Sequence, residues 1–175
     1  SEKQQKAVLR DIAVLELLFA TGIRVSELCS LKCSDVNLIE GEVKIYGKGA
    51  KERLVQIGNP GVLSALQAYQ TLNCLAIEHT GMFFVNRLDK PLSDQSVRNI
   101  VAKYTRLAGE NLHITPHMFR HSFATLLLEE DVDIRYIQRL LGHSSIVTTQ
   151  IYTYVSGRKQ RDILSIKHPR NKIRV

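Results

Sequence analysis

Apolar and polar positions recur along this chain with two periods, and the longer one dominates. Between residues 4 and 20, Val8, Leu9, Ile12, Leu15 and Phe19 are spaced three and four apart, which predicts an amphipathic helix. Thr21 and Gly22 follow, and glycine is the usual residue just past a helix end. The stretch "RVSELCSL" predicts a short second helix that starts near Arg24 or Ser26. The period then drops to two. Val43 and Ile45, then Val55 and Ile57, flank "GKGAK", the pattern of a β-hairpin with a glycine-rich turn. Residues 60–77 return to a helical pattern with Pro60 in the first turn, and "GMFFVN" reads as a short strand.

"SDQSVRNIVAKYTRLAG" predicts a helix capped by Ser93 or Asp94 and stopped by Gly109. "TPHMFRHSFATLLLEE" puts Thr115 at an N-cap and Pro116 at the first helical position. "IRYIQRLLGH" predicts a helix closed by Gly142, and residues 145–155 and 160–166 predict two more. The expected fold is mainly α with one small antiparallel β-sheet (α+β), in a single domain spanning 1–175 with a tail at 157–175.

Composition narrows the function classes. With 175 residues, 44% apolar and 23% charged, the chain fits one soluble domain with a sizeable core. No apolar run reaches the roughly 18 residues of a membrane span, so no membrane role is expected. The first residues, "SEKQQKAVLRD", are too polar for a signal peptide, and without a starting Met they suggest a domain excised from a longer protein. Cys29 and Cys33 lie one helical turn apart and suit either a metal pair or buried thiols; with Cys74 they make an odd set. Reduced thiols fit a cytoplasmic protein. The net charge of +7 suggests an anionic partner, but the tail holds seven Lys or Arg against Asp162 alone. Net charge therefore says "basic tail", and the case for nucleic acid must come from placed residues.

Several short motifs carry placed residues. In "HMFRH", His117 and Arg120 share a helix face, and Phe119, Phe123, Ala124 and Leu127 make that helix a core element. Its arginine is thus expected to face a cleft, at a helix start that favours anions. His117 and His121 have the spacing of a metal pair, but Met118 stands where the zincin pattern has Glu. "ATGIRVSEL" carries Arg24 and Glu27 three apart, "GKGAKER" puts Lys48 at a hairpin tip, and "LGHSS" puts His143 in a turn. Taken singly these could be a surface ion pair, a solubilising lysine and a helix-end histidine.

In this order and spacing the motifs resemble the catalytic domain of tyrosine recombinases, the phage-integrase family, and within it the Xer type. The resemblance runs from about Val14 to about Val155 and is most specific in "TPHMFRHSFATLLLEEDVDIRYIQRLLGHSSIVTTQIYTYV". It implies the integrase catalytic fold, with Arg24 and Arg120 as phosphate clamps, and Lys48, His117 and His143 as further catalytic residues. It implies Tyr152 as nucleophile and Glu27 as a supporting acid. Relatives usually carry a separate N-terminal DNA-clamping domain, and none is expected within residues 1–175. Met118 and Tyr154 depart from many relatives, at positions that carry no chemistry.

The implied reaction breaks and rejoins double-stranded DNA through a 3′-phosphotyrosyl intermediate. It needs neither metal nor ATP, because arginines serve as the charge clamp and the phosphotyrosyl bond keeps the ester energy. Helix geometry separates the two tyrosines of "IYTYV". At about 100° per residue, Val147, Ile151 and Val155 form an apolar stripe with Tyr154 at its edge, while Tyr152 points to a polar face near Thr148. Lys51, Arg53, Lys103, Arg106 and the tail are candidate DNA-backbone contacts, or solvated surface charge. Ile163, Leu164 and Ile166 give the tail an apolar face. By resemblance it docks on a neighbour in a homotetramer on DNA, with a monomer expected without DNA. Three other readings remain: a type IB topoisomerase-like strand-passage enzyme, a non-catalytic helical DNA-binding module, and a metal-dependent nuclease, for which a carboxylate cluster is missing.

Overall fold

A computed structural model describes residues 1–47, 51–109, 111–142 and 157–172. Its first helix, α1 (Glu2–Thr21), is the predicted one, but it is turned relative to the predicted stripe. Ala13, Val14, Leu17, Leu18 and Ala20 are buried, whereas Val8 and Ile12 are 44% and 38% exposed. The reason is tertiary. This helix packs against two others, α3 (Pro60–Thr80) and α5 (Pro116–Glu129), so its buried face is wide and includes small residues that allow close approach. Gly22 ends it in the left-handed conformation (φ 60°), and a Cβ there would come within 2.7 Å of the Phe123 ring.

The hairpin expected from the period-two pattern consists of β2 (Glu42–Tyr46) and β3 (Glu52–Gln56), with Val43 opposite Val55 and Ile45 opposite Arg53. A two-residue β1 (Val36–Asn37) that the sequence did not announce adds to β2, giving an antiparallel sheet in the order β1-β2-β3. The short helix α2 (Val25–Cys29) lies between α1 and the sheet in sequence. "GMFFVN" is not a strand. Its two ends make single bridges to different partners, Lys32 with Met82 and Pro91 with Val85. The Tyr69 hydroxyl pins the middle, donating to the Phe83 carbonyl at 3.0 Å and accepting from the Val85 amide at 2.9 Å.

Asn59 caps α3, and Ser93 rather than Asp94 caps α4 (Asp94–Leu107). Pro116 opens α5, and α6 (Ile134–Leu141) ends on Gly142 at φ 66°. One apolar core gathers α1, α3, α4 and the sheet. A second, smaller core joins Phe123 and Leu127 of α5 to Ile137, Leu140 and Leu141 of α6.

Leu164 of α7 (Gly157–Lys167) completes the second core, so the tail packs on its own chain. Around it, Arg170 pairs with Glu16 at 3.1 Å, and Lys167 donates to the Glu130 carbonyl at 2.7 Å. His168 is buried beside Phe19 and Phe123, with Nε2 3.0 Å from the Ala20 carbonyl. Nδ1 accepts from the Arg170 amide, so the ring is neutral and donates through Nε2. Ile166, expected on the apolar face, is 77% exposed, because two residues along α7 from the buried Leu164 it falls about 200° around the helix; a 3₁₀ segment (Pro169–Lys172) follows. Cys29 and Cys33 are partly buried, and Cys74 is exposed. Among the described residues no helix is long and apolar enough to cross a membrane.

Candidate active site

Three helix ends are tied together here, and two of them, the starts of α2 and α5, line a cleft of about 560 Å³. The first is the start of α2. Arg24 is its N-cap residue, and Glu27, one turn on, accepts from the Arg24 amide at 2.8 Å and from its Nη1 at 3.1 Å. An isolated pair at this spacing would be a weak surface contact, but here the carboxylate is buried. It needs more than one cation, and Arg53 supplies the second, with Nη1 at 2.9 Å and Nη2 at 2.7 Å from its two oxygens.

The second end is the start of α5, where His117 is exposed at the cleft and Arg120, one turn further in, is buried. The Arg120 guanidinium reaches two other helix ends. Nη1 donates to the Gly22 carbonyl at 2.7 Å, and Nη2 to the Leu141 carbonyl at 2.5 Å. Those carbonyls lie past the last intrahelical bonds of α1 and α6, where acceptors lack partners and the helix dipole favours cations. Arg53 Nε takes the preceding carbonyl, Leu140, at 2.8 Å. The third end, at α6, is therefore held by two guanidinium groups on consecutive carbonyls.

The electrostatics follow from this packing. Burial foremost, then the Arg24 charge, with Arg53 adding and Glu27 opposing, pushes the Arg120 guanidinium down to about 10. It is still a cation at neutral pH. Burial works against the charged form of Glu27, but the Arg53 hydrogen bonds, the Arg24 amide and both positive charges outweigh it and hold the carboxyl below its ordinary range. Arg98 and Asp94 of α4 also line the cleft. Arg24, Arg98 and Arg120 thus outnumber Asp94 along this space, an excess suited to an anion.

Of the residues singled out in the sequence, Arg24, His117 and Arg120 come together here with Glu27 behind them. Lys48, His143 and Tyr152 lie outside the described residues, as do Val147, Thr148, Ile151, Tyr154 and Val155. Arg53, expected from sequence to be a backbone contact or surface charge, has a side chain only 13% exposed and bonded to Glu27 and Leu140. Its place was legible in the period-two pattern, because Arg53 lies two before Val55 and opposite Ile45, on the inward face. Lys103 is exposed and pairs with the buried Asp11 at 3.0 Å. Lys51 and Arg106 are exposed. The sequence reading missed Arg98 and His113 at the cleft; the polar face of α4 would have pointed to the first, and no local pattern marks the second.

Known proteins carry the same arrangement of chain. A tyrosine recombinase of Agathobacter rectalis is 61% identical over 167 residues, covering 95% of this chain and 55% of that protein. The tyrosine recombinase XerC of Bacillus subtilis is 44% identical over 175 residues, covering 97% of this chain and 57% of its own. The chain thus spans little more than half the length of these relatives. The crystal structure of XerA recombinase matches 99% of this chain and 63% of its own, with a TM-score of 0.71 and 31% identity. XerH site-specific recombinase, in a pre-cleavage complex with its difH substrate, matches 92% of this chain and 47% of its own, with a TM-score of 0.72 and 30% identity. The model of the phage integrase family matches residues 1–158. Given that match, relatives of this identity along nearly the whole chain, and a shared mainly helical fold with one three-stranded sheet, this chain belongs to the phage integrase family.

Proposed function

We propose that the chain is the catalytic domain of a tyrosine site-specific recombinase that cuts and rejoins double-stranded DNA. The observation that supports this most is the meeting of Arg24, Arg120 and His117 at one cleft with excess positive charge. A phosphodiester under attack gains charge on its phosphoryl oxygens, and guanidinium forks match those oxygens. In this reading the Tyr152 oxygen attacks phosphorus, a 3′-phosphotyrosyl ester forms, and the 5′-oxygen leaves with a proton from Lys48. The 5′-hydroxyl of a second strand reverses the step, so no ATP is consumed.

Tyrosine has a pKa of about 10, so only about one in a thousand is ionised near pH 7. That deficit is worth about 4 kcal/mol in the barrier. His117 offsets it as the base, aided by the field of the arginines, and His143 adds a hydrogen bond to the phosphoryl group. Lys51, Arg106 and the tail contact the DNA backbone.

On DNA the unit is a homotetramer in which residues 157–175 leave their own chain and dock on a neighbour; without DNA the chain is a monomer in the cytoplasm. What supports the exchange is that Leu164 and the surrounding ion pairs hold the tail on a surface that every copy presents alike. Deleting residues 160–175 is expected to abolish strand exchange and association on DNA, and unchanged behaviour would remove this part of the reading. For the activity itself, the chain is incubated with a pool of nicked suicide duplexes of randomised sequence. A protease-sensitive covalent complex should form in the presence of EDTA, and its captured duplexes can be sequenced and resynthesised. Salt-dependent binding without any covalent complex would favour a non-catalytic DNA-binding module instead.

A further inference from the structure

Behind the cleft, Arg53 ties together three separate parts of the chain. It sits on β3, on the inward face of the hairpin whose turn holds Lys48 in the sequence. Its fork closes on both oxygens of Glu27, the residue that also holds the Arg24 amide and guanidinium. Its Nε reaches the Leu140 carbonyl, 87 residues away in sequence, next to the carbonyl that Arg120 holds and three residues before His143. The seat for this group is open on the Gly142 side, where a Cβ would come within 2.7 Å of Arg53 Nη1. Gly142 is also at φ 66°, so two constraints keep that position bare.

We propose that Arg53 is a positioning residue for the cleavage reaction. It fixes the hairpin, the start of α2 and the end of α6 relative to one another, so that Lys48, Arg24 and the segment beginning at His143 hold one geometry. The proposal rests on the recombinase reading above. Arginine is required because three bonds in fixed directions are made at once. A lysine at the same place carries the charge but cannot hold Glu27 with a fork and Leu140 together. Arg53 does not touch DNA in this account; it acts through Glu27 and the end of α6.

The test uses the resynthesised suicide duplex and single-turnover formation of the covalent complex at saturating DNA. Arg53→Lys keeps the charge and is expected to fold, to bind the duplex within about twofold of the parent Kd with the same salt slope, and to form the complex roughly 100-fold more slowly, the scale of an ångström-size misplacement. Arg53→Gln should be slower still, and 10 mM guanidinium should recover part of its rate. A core variant matched in thermal midpoint, such as Ile77→Val in α3, should keep the parent rate, which separates positioning from simple loss of stability. In a cycle with Glu27→Gln, the second substitution should cost much less than the first, because both break the same link.

If Arg53→Lys forms the complex at the parent rate, the proposal is wrong. It is equally wrong if the loss appears as weaker binding with a shallower salt slope, which marks a phosphate contact, or if the rate loss scales with thermal midpoint across the variants. No complex from the parent chain would instead overturn the recombinase reading.

Discussion

Among the described residues the buried carboxylates Asp11 and Glu27 are each held by two cations, whereas a third, Asp35, accepts from the Lys32 amide. At Asp11 the partners are its neighbour Arg10, at 2.6 Å, and Lys103 of α4, at 3.0 Å. One cation is local and the other a flexible point charge, and together they pin α1 to α4. At Glu27 both partners are arginines, and the bonds run on from their guanidinium groups to the carbonyl of Leu140. A further guanidinium, Arg120, stands beside that group and draws in Gly22 and Leu141. The chemistry of one buried charge is the same in both places. Cations outnumber the carboxylate in both places, so what differs is where the bonds go. Around Glu27 they run on through guanidinium groups to three helix ends, with Arg24 and Arg120 facing an open cleft. A buried ion pair alone therefore does not mark a site; guanidinium groups fixed to helix ends beside a cleft do.

The largest difference between the two regions is expected at Arg120. Arg120→Ala should slow covalent-complex formation by roughly 10²–10³ or more, the scale for a lost transition-state donor. Measured by single turnover on a suicide duplex, an effect under tenfold would remove the cleft's special status. Removing either buried carboxylate takes the shared partner from two cations, one of them largely covered (Arg10 or Arg53), so Glu27→Ala and Asp11→Ala should each cost about 3 kcal/mol in urea unfolding. Asp11→Ala should cost the less of the two because Lys103 is half exposed. Only Glu27→Ala should also slow the reaction; equal slowing by both would dissolve the comparison.

The elements were legible in sequence wherever one period or one cap decided them: the hairpin, the glycine stops after α1 and α6, the proline start of α5. The misreadings share a cause. The buried face of α1 is set by two helices at once, which no single stripe encodes. "GMFFVN" is apolar and extended like a strand, but its amides are used by Tyr69 and by single bridges. Arg24, Glu27 and Arg120 were legible as a set through their order and spacing. The inward place of Arg53 was legible in strand alternation, two residues before Val55, although its charge alone suggests exposure. Arg120's bonds to the ends of α1 and α6 are tertiary and have no local signature.

The pH dependence should also differ between residues. Glu27 is lowered on folding, so its contribution is full above the unfolded value of about 4.3 and is lost as pH falls through its lower folded value. Burial lowers His168 as well, against the pull of the Ala20 and Phe19 carbonyls. The stability it confers is complete above about 6.5 and declines as pH drops toward its folded value. Urea midpoints should thus fall between pH 7 and 5 in the parent and fall less in His168→Gln. The smallest effect is expected at Lys103→Met: at most about 1 kcal/mol, from a half-exposed partner, with no change in reaction rate or in the salt dependence of DNA binding.

The central claim is that the arginine-lined cleft serves one tyrosine nucleophile, Tyr152. It is tested most directly by covalent trapping on the suicide duplex with Tyr152→Phe and Tyr154→Phe side by side. The account predicts no covalent complex from Tyr152→Phe and a complex at near the parent rate from Tyr154→Phe. A complex that persists in Tyr152→Phe, or vanishes only in Tyr154→Phe, would contradict it.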